Sequence, residues 1–404
     1  MLPKGKEIVK IGFDARMIEH SGIGNRIQKL LEFWKPPRFP HEFYIFGNSH
    51  VLSKYPLPKH AKIVEYNAPI YSLSEMLGHR RFLEMDLLEI PHFNVPFLSI
   101  RNCIVTIHDL IPYLFPEYHK SIFKRIYLFV VLHWIRLFAK KVLSVSETTK
   151  MDLVKHFGFD SNQISVVYNS VLVSPRENSQ KTAASKTSKL KNSQKAVVVT
   201  EKNFSRKQLD AFLKRYYLPK QYFLYVGIGK GHKNIPFLME TYLDILSEFP
   251  DFPPLVWAGT GGNIPEDLFP EKLYLQLKSL VGTKLFLPKR IPSEEWHMLY
   301  RSAILFLFPS LYEGFGFPPL EAQANLVPVL SSPLGSLSEV LGESAMFFDS
   351  KSQSEFREKW AFLYHSKKYR DRLVSLGKKN VLRYSWDTSV VKVRDVYESL
   401  VSGE

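Results

Sequence analysis

One cysteine, Cys103, in 404 residues excludes an intramolecular disulfide. Long apolar runs are also missing. The most hydrophobic stretch, Ile126 to Phe138, holds His133 and Arg136 and is well short of the roughly 20 residues that cross a bilayer as a helix. Met1 to Phe13 has no apolar core of a secretory signal, so a reducing, cytoplasmic setting is expected, with peripheral attachment to the inner face of a membrane as an extension. No repeat of solenoid period is visible. What is present is a composition of 45% hydrophobic, 14% aromatic and 23% charged residues, which excludes a disordered or fibrous chain. At about 150 residues per domain, the length predicts two to three domains.

The formal net charge is +15, from 54 Lys and Arg against 39 Asp and Glu, which raises nucleic acid, anionic membrane or phosphorylated ligands as partners. Its distribution narrows the choice. Ser174 to Lys195 is polar and nearly free of apolar residues, and Ser179–Arg215 carries eight Lys and two Arg against Glu201 and Asp210, a net of 10 − 2 = +8. From Ser179 to Leu209 only Phe204 is aromatic, so bases would find few stacking partners. This region reads as a linker, and specific nucleic-acid binding is not expected.

On either side of it short apolar runs alternate with helical patterns, the signature of parallel sheets built from strand-helix-strand units. Strands are predicted at Ile8–Phe13, Glu42–Phe46, Lys62–Tyr66, Cys103–Ile107 and Val142–Val145. In the second half they are predicted at Tyr222–Val226, Leu255–Ala258, Lys284–Leu287, Ile304–Phe308, Val327–Leu330 and Ala345–Phe348. The expected fold class is α/β, two doubly wound domains in tandem. Expected boundaries are 1–173, a linker over 174–218, 219–385, and a C-terminal helix over 386–404 that packs back on the first domain. Tyr127–Phe138 reads as a core helix; Lys124, Arg125, Arg136, Lys140 and Lys141 around it make interfacial docking the alternative.

The densest chemical signal is Pro309-Ser-Leu-Tyr-Glu313-Gly-Phe-Gly-Phe-Pro-Pro-Leu-Glu321. A strand delivers the chain to a loop whose glycines let backbone approach a ligand, and Pro318-Pro319 opens a helix with free amides and a positive dipole end suited to a diphosphate. Glu313 before the loop and Glu321, placed in the first helical turn, would repel phosphate. They are better used to accept hydrogen bonds from hydroxyls of a sugar or ribose, which points to a nucleotide sugar. Gly22 and Gly24 mark a glycine turn at which the helical pattern Ile23, Ile27, Leu30, Leu31 and Trp34 begins; Gly-x-Gly is too short for the full dinucleotide fingerprint and by itself reads as a tight turn.

The Glu313/Glu321 segment resembles the E-x7-E signature of retaining glycosyltransferases of family 4. So do, in order, Asp14-Ala-Arg-Met17 with Ser21-Gly-Ile-Gly24, Pro91-His-Phe-Asn-Val-Pro96, Thr106-Ile-His-Asp-Leu-Ile-Pro112 with Phe115-Pro-Glu117, Val145-Ser-Glu147, Tyr225-Val-Gly227 with His232-Lys-Asn234, and Leu299-Tyr-Arg301. The resemblance covers most of the chain outside the linker. It implies a GT-B architecture, two Rossmann-like domains facing across a cleft, with a nucleotide-diphosphate sugar as donor substrate held mainly by the second domain, the acceptor mainly by the first, and no cofactor or required metal. It implies that Glu313 and His108 act beside the donor sugar, that Gly314, Phe315, Gly316 and Phe317 hold sugar and phosphate, and that Glu321 binds the ribose. Lys233 would neutralise the diphosphate, Gly22 and Gly24 would meet it from the first domain, and the Ile291 backbone would contact the base. The implied activity is retaining transfer of a hexose such as mannose to a glycan or lipid-linked saccharide in cell-surface polysaccharide or lipopolysaccharide synthesis.

Departures from the family pattern at Asn25, Ile228 and Asn325 leave a second reading, a catalytically silent, membrane-peripheral sugar-nucleotide binder. A glycoside hydrolase fits less well, because both glutamates lie on one loop and helix rather than across a scissile bond.

Overall fold

The structure is a computed structural model that describes residues 8–34, 41–118, 122–171 and 205–402. Its first sheet has seven parallel strands: β1 (Lys10–Asp14), β2 (Glu42–Gly47), β3 (Lys62–Glu65), β4 (Leu87–Ile90), β5 (Cys103–Ile107), β6 (Lys141–Ser144) and β7 (Ile164–Val166), in the order β3-β2-β1-β4-β5-β6-β7. The second has six: β8 (Tyr222–Val226), β9 (Leu255–Ala258), β10 (Leu285–Phe286), β11 (Ala303–Phe308), β12 (Val329–Ser331) and β13 (Met346–Phe347), ordered β10-β9-β8-β11-β12-β13. Helices cover the faces, so central strands such as Cys-Ile-Val-Thr-Ile are buried along their whole length and read as continuous rather than alternating apolar runs. The expected doubly wound α/β class is borne out.

Strand order reverses between β1 and β4 in one sheet and between β8 and β11 in the other. Ile11 of β1 pairs with Phe43 on one side and Leu87 on the other, which fixes the first reversal. Ligands of such sheets bind in the crevice beyond the strands' carboxyl ends at this point, so the loops after Asp14, Ile90, Val226 and Phe308 matter most.

The described residues fall into two units, one within the spans Met1–Ser170, Tyr312–Phe315 and Trp386–Glu404 and the other within Val171–Leu311 and Gly316–Ser385. In the first, helix Ile122–Phe138 presses Leu128, Val131, Leu132 and Ile135 into a core shared with Leu88, Ile90, Val105 and Ile107. In the second, Trp360 stacks on Tyr242 at 5.6 Å and meets Phe223 edge-on at 5.0 Å.

Three local readings change. β4 and β7 have no counterpart among the predicted strands. Gly22 and Gly24 lie inside helix Ser21–Phe33 rather than in a turn before it. Of the expected linker, 174–204 lies outside the described residues, and the rest contains helix Arg206–Arg215, begun by a capping box between Ser205 and Gln208.

Candidate active site

In the first unit the carboxyl ends of β1, β4 and β5 bring polar side chains together. Asp14, the last residue of β1, is 1% exposed; Arg16 donates to it from Nη2 at 2.6 Å and to Glu75 at 2.8 Å. Burial pushes the Asp14 carboxyl up, but the Arg16 charge and hydrogen bonds outweigh this and hold it well below the usual carboxylate range. Just past β4, His92 accepts the Asn94 N–H at Nδ1, 3.0 Å, which leaves Nε2 as the ring nitrogen that bears a proton. That nitrogen stands 3.8 Å from both Asp14 and Glu75. Glu75 in turn accepts the Tyr71 N–H at 2.6 Å, and Tyr71, 67% exposed at φ +67°, sets its ring 6.2 Å from Phe93 and 6.4 Å from Tyr127.

His108 follows β5. Its Nε2 lies 2.9 Å from the Pro91 carbonyl, which can only accept, so Nε2 bears the proton and Nδ1 is the acceptor face of the ring. Burial first, then the charge of Arg26, lower its pKa to about 3 and keep it neutral. Its carbonyl oxygen accepts from Thr149 Oγ1 at 3.2 Å. Against the same carbonyl lies Gly314: a Cβ there would stand 2.0 Å from the His108 oxygen, so only glycine fits. This brings Glu313, 8% exposed, next in sequence to the residue that packs on His108. Phe315, also buried, faces Tyr168 with ring centroids 6.5 Å apart.

Gly22 and Gly24 are placed differently from expectation. Gly24 is buried, and a Cβ on it would be 2.5 Å from the Ile18 carbonyl oxygen, so its absent side chain makes room for the protein's own backbone. Gly22 is exposed in the first turn of the same helix.

In the second unit the reversal point lies between the loops after β8 and β11. Leu311 N–H donates to the His232 carbonyl at 2.7 Å and ties those loops together. Lys233 Nζ stands 5.5 Å from the centre of the Phe308 ring, held by a cation–π contact. Gly316 takes φ +87° as the residue before helix Phe317–Ala324, and a Cβ there would meet Leu337 at 2.8 Å. Because Phe317 already begins the helix, ahead of both prolines, Glu321 falls one turn in rather than in the first turn, a correction to the sequence reading. It accepts from Tyr300 Oη at 2.8 Å, and burial raises its pKa. Ile291 is linked to it by contacts: its carbonyl accepts from Trp296 Nε1 at 3.1 Å, and Trp296 packs on Tyr300 at 6.4 Å.

Two family models cover most of the sequence: "Glycosyltransferase Family 4" over residues 31–174 and "Glycosyl transferases group 1" over 184–380. The chain belongs to glycosyltransferase family 4. Family 4 enzymes are retaining and of GT-B type, and the fold agrees with solved members of that architecture. A Rickettsia africae glycosyltransferase superposes with a TM-score of 0.69 at 16% identity, covering 98% of this chain and all of that one (100%). The Anabaena protein HepE, solved with UDP and glucose, gives 0.69 at 14% identity, 97% of this chain and 100% of its own. WaaG, described as a glycosyltransferase of lipopolysaccharide biosynthesis, gives 0.65 at 12% identity, 96% and 99%. Among curated relatives, the O-antigen chain mannosyltransferase RfbU of Salmonella typhimurium is 26% identical over 277 residues, 69% of this chain and 64% of the relative, so this chain matches under two thirds of that protein's length. The Escherichia coli O-antigen chain mannosyltransferase B is 26% identical over 311 residues, 77% of this chain and 73% of the relative.

Glu75 and His92 were not among the site residues expected from the sequence. His92 lies in a family block, but nothing local marks Glu75, whose Ser72-Leu-Ser-Glu75 spacing reads as an ordinary helix start. Among the described helices none is long and apolar enough to cross a membrane.

Proposed function

We propose that this chain transfers a hexosyl residue, mannose first among candidates, from a nucleoside-diphosphate donor to a hydroxyl of a glycan or lipid-linked saccharide in cell-surface polysaccharide assembly. The observation that carries the reading is Gly314 packed on the His108 carbonyl, which sets the residue after the buried Glu313 against the backbone of a histidine whose ring can accept a hydrogen bond. The family membership and the two mannosyltransferase relatives support the reaction and the sugar.

In this reading Glu313 accepts hydrogen bonds from the donor sugar beside its anomeric carbon, and His108 Nδ1 accepts one from a sugar hydroxyl. Lys233 offsets the charge that grows on the diphosphate as it leaves, and the amides around Gly316 and Phe317 bind its oxygens. The bond from the anomeric carbon to the diphosphate breaks, and the bond to the acceptor oxygen forms on the face vacated. The acceptor's proton passes to a diphosphate oxygen, so no carboxylate nucleophile is needed. Glu321 and the Ile291 backbone hold the nucleoside, and the acceptor is taken by the first unit near Asp14, His92 and Tyr71.

The test measures release of nucleoside diphosphate from GDP-mannose and other hexose donors, with a bacterial lipid extract as acceptor. Glu313→Ala should reduce acceptor-dependent release by at least about a hundredfold, on the scale of one preorganised electrostatic contact, while far-UV circular dichroism is unchanged. A fully active variant would remove the assignment.

A further inference from the structure

Helix Ile122–Phe138 is apolar on two faces, and the core uses only one of them. Leu128, Val131, Leu132 and Ile135 point inward, as the sequence pattern predicts for a core helix. Ile122, Phe123, Ile126, Phe129, Val130 and Leu137 point outward and are each between 47% and 80% exposed. At about 100° per residue these six fall on one side of the helix, so they form a stripe rather than scattered exposures. A solvated helix would carry charge there.

The stripe does not stand alone. Tyr71, at the carboxyl edge of the first sheet, meets Tyr127 of the same helix at 6.4 Å. Phe97, beside the 68%-exposed Leu98, meets Trp134 edge-on at 5.6 Å. Exposed apolar side chains therefore continue from the helix toward the residues after β4.

Charge selects the occupant. From Ile122 to Lys141 there is no Asp or Glu, while Lys124, Arg125, Arg136, Lys140 and Lys141 are basic. A second copy of this face would set those cations against one another, and the Lys-rich stretch after Ser179 would be repelled in the same way. We propose that this helix face seats on an anionic phospholipid surface, its apolar stripe entering the headgroup boundary with the flanking Arg and Lys on lipid phosphates. Attachment through this face would hold the carboxyl edge of the first sheet beside the membrane, where a lipid-linked acceptor is presented. The docking itself does not rest on the transfer reaction and can be tested without it.

The experiment is flotation of the full chain with vesicles of phosphatidylglycerol and phosphatidylcholine in equal parts, and with phosphatidylcholine alone. Wild type should float with the anionic vesicles at low salt and much less at high salt. Ile126→Ser with Phe129→Ser should weaken that binding by about tenfold or more, with the melting temperature and the thermal shift caused by nucleotide unchanged. Lys140→Gln should reduce binding to anionic vesicles only. Failure of wild type to float, or unchanged flotation of the double Ser variant, overturns the proposal. So does a concentration-dependent dimer in wild type that the double Ser variant abolishes, because the face would then be a self-interface.

Discussion

At the scale of single residues the candidate site contains a histidine kept from charging. Burial, helped by Arg26, lowers the His108 pKa from 6.5 to about 3, although the hydrogen bond to the Pro91 carbonyl works the other way. The unfolded chain binds this proton below about pH 6.5 and the folded chain only near 3. The linked stability is therefore fully present above pH 6.5 and is lost progressively as pH falls toward 3. His108→Gln should flatten the decline of the melting temperature across that window, and should leave any limb of the pH–rate profile between about pH 5 and 8 where it is in wild type, because His108 does not titrate there. Proton NMR of the imidazole tests the premise of both; a ring titrating near 6.5 would overturn them. Glu313 and Glu321 could be named from the sequence because loop and helix spacing keeps them on one short segment, whereas Lys233 came only from the family resemblance of its block. Asp14, Glu75 and His92 could not be joined that way: the pairing of β1 with β4 brings Asp14 beside His92, and Arg16 ties in Glu75 from helix Leu73–Leu77.

Elements were legible where burial makes the strand apolar, and obscured where a polar residue interrupts it. Leu87-Leu-Glu89-Ile90 does not look like a central strand, since a buried carboxylate sits in its middle. The strand tolerates Glu89 because helix Trp386–Ser402 supplies the Tyr397 hydroxyl, which donates to the carboxylate, and because Arg26 lies near. That helix is seated by Tyr397 against Trp34 at 5.4 Å, and Trp34 stacks on Phe43 of β2 at 4.7 Å. β7, only three residues long, gave too short a run to register. Burial raises the Glu89 pKa to about 7, so between 4.5 and 7 the folded state holds a proton the unfolded state lacks, and stability falls as pH rises through that window. Tyr397→Phe removes the donor that favours the charged form and raises this pKa further. The variant should lose about 1–3 kcal/mol, and more at pH 8 than at pH 5. Denaturant titration at the two pH values decides it; an equal loss at both would mean that the hydroxyl does not act on the carboxylate.

For the whole molecule, the net charge of +15 divides unevenly: +8 lies in Ser179–Arg215, leaving 15 − 8 = +7 for the rest. An extended basic stretch attracts any polyanion, and that attraction fades with salt as counterions are restored. A nucleoside diphosphate bound as proposed, between the loops after β8 and β11, would be different. Those loops are tied by Leu311 to His232, and the Phe308 ring holds the Lys233 ammonium, so little is left to order on binding. One hexose nucleotide in a panel should therefore raise the melting temperature selectively and still do so at about 0.5 M salt, where the Debye length is only a few ångströms. At a hundred times its dissociation constant the gain in stability should be about 2.7 kcal/mol. Lys233→Ala should weaken the same ligand by about tenfold or more, the loss expected for one charge-assisted contact to phosphate, and lower the ligand-free melting temperature only slightly, since the cation–π contact with Phe308 that it removes is a small stabilising term. Equal shifts from every polyanion, abolished by salt and indifferent to Lys233, would assign the binding to the basic stretch instead and remove the donor site from the second unit.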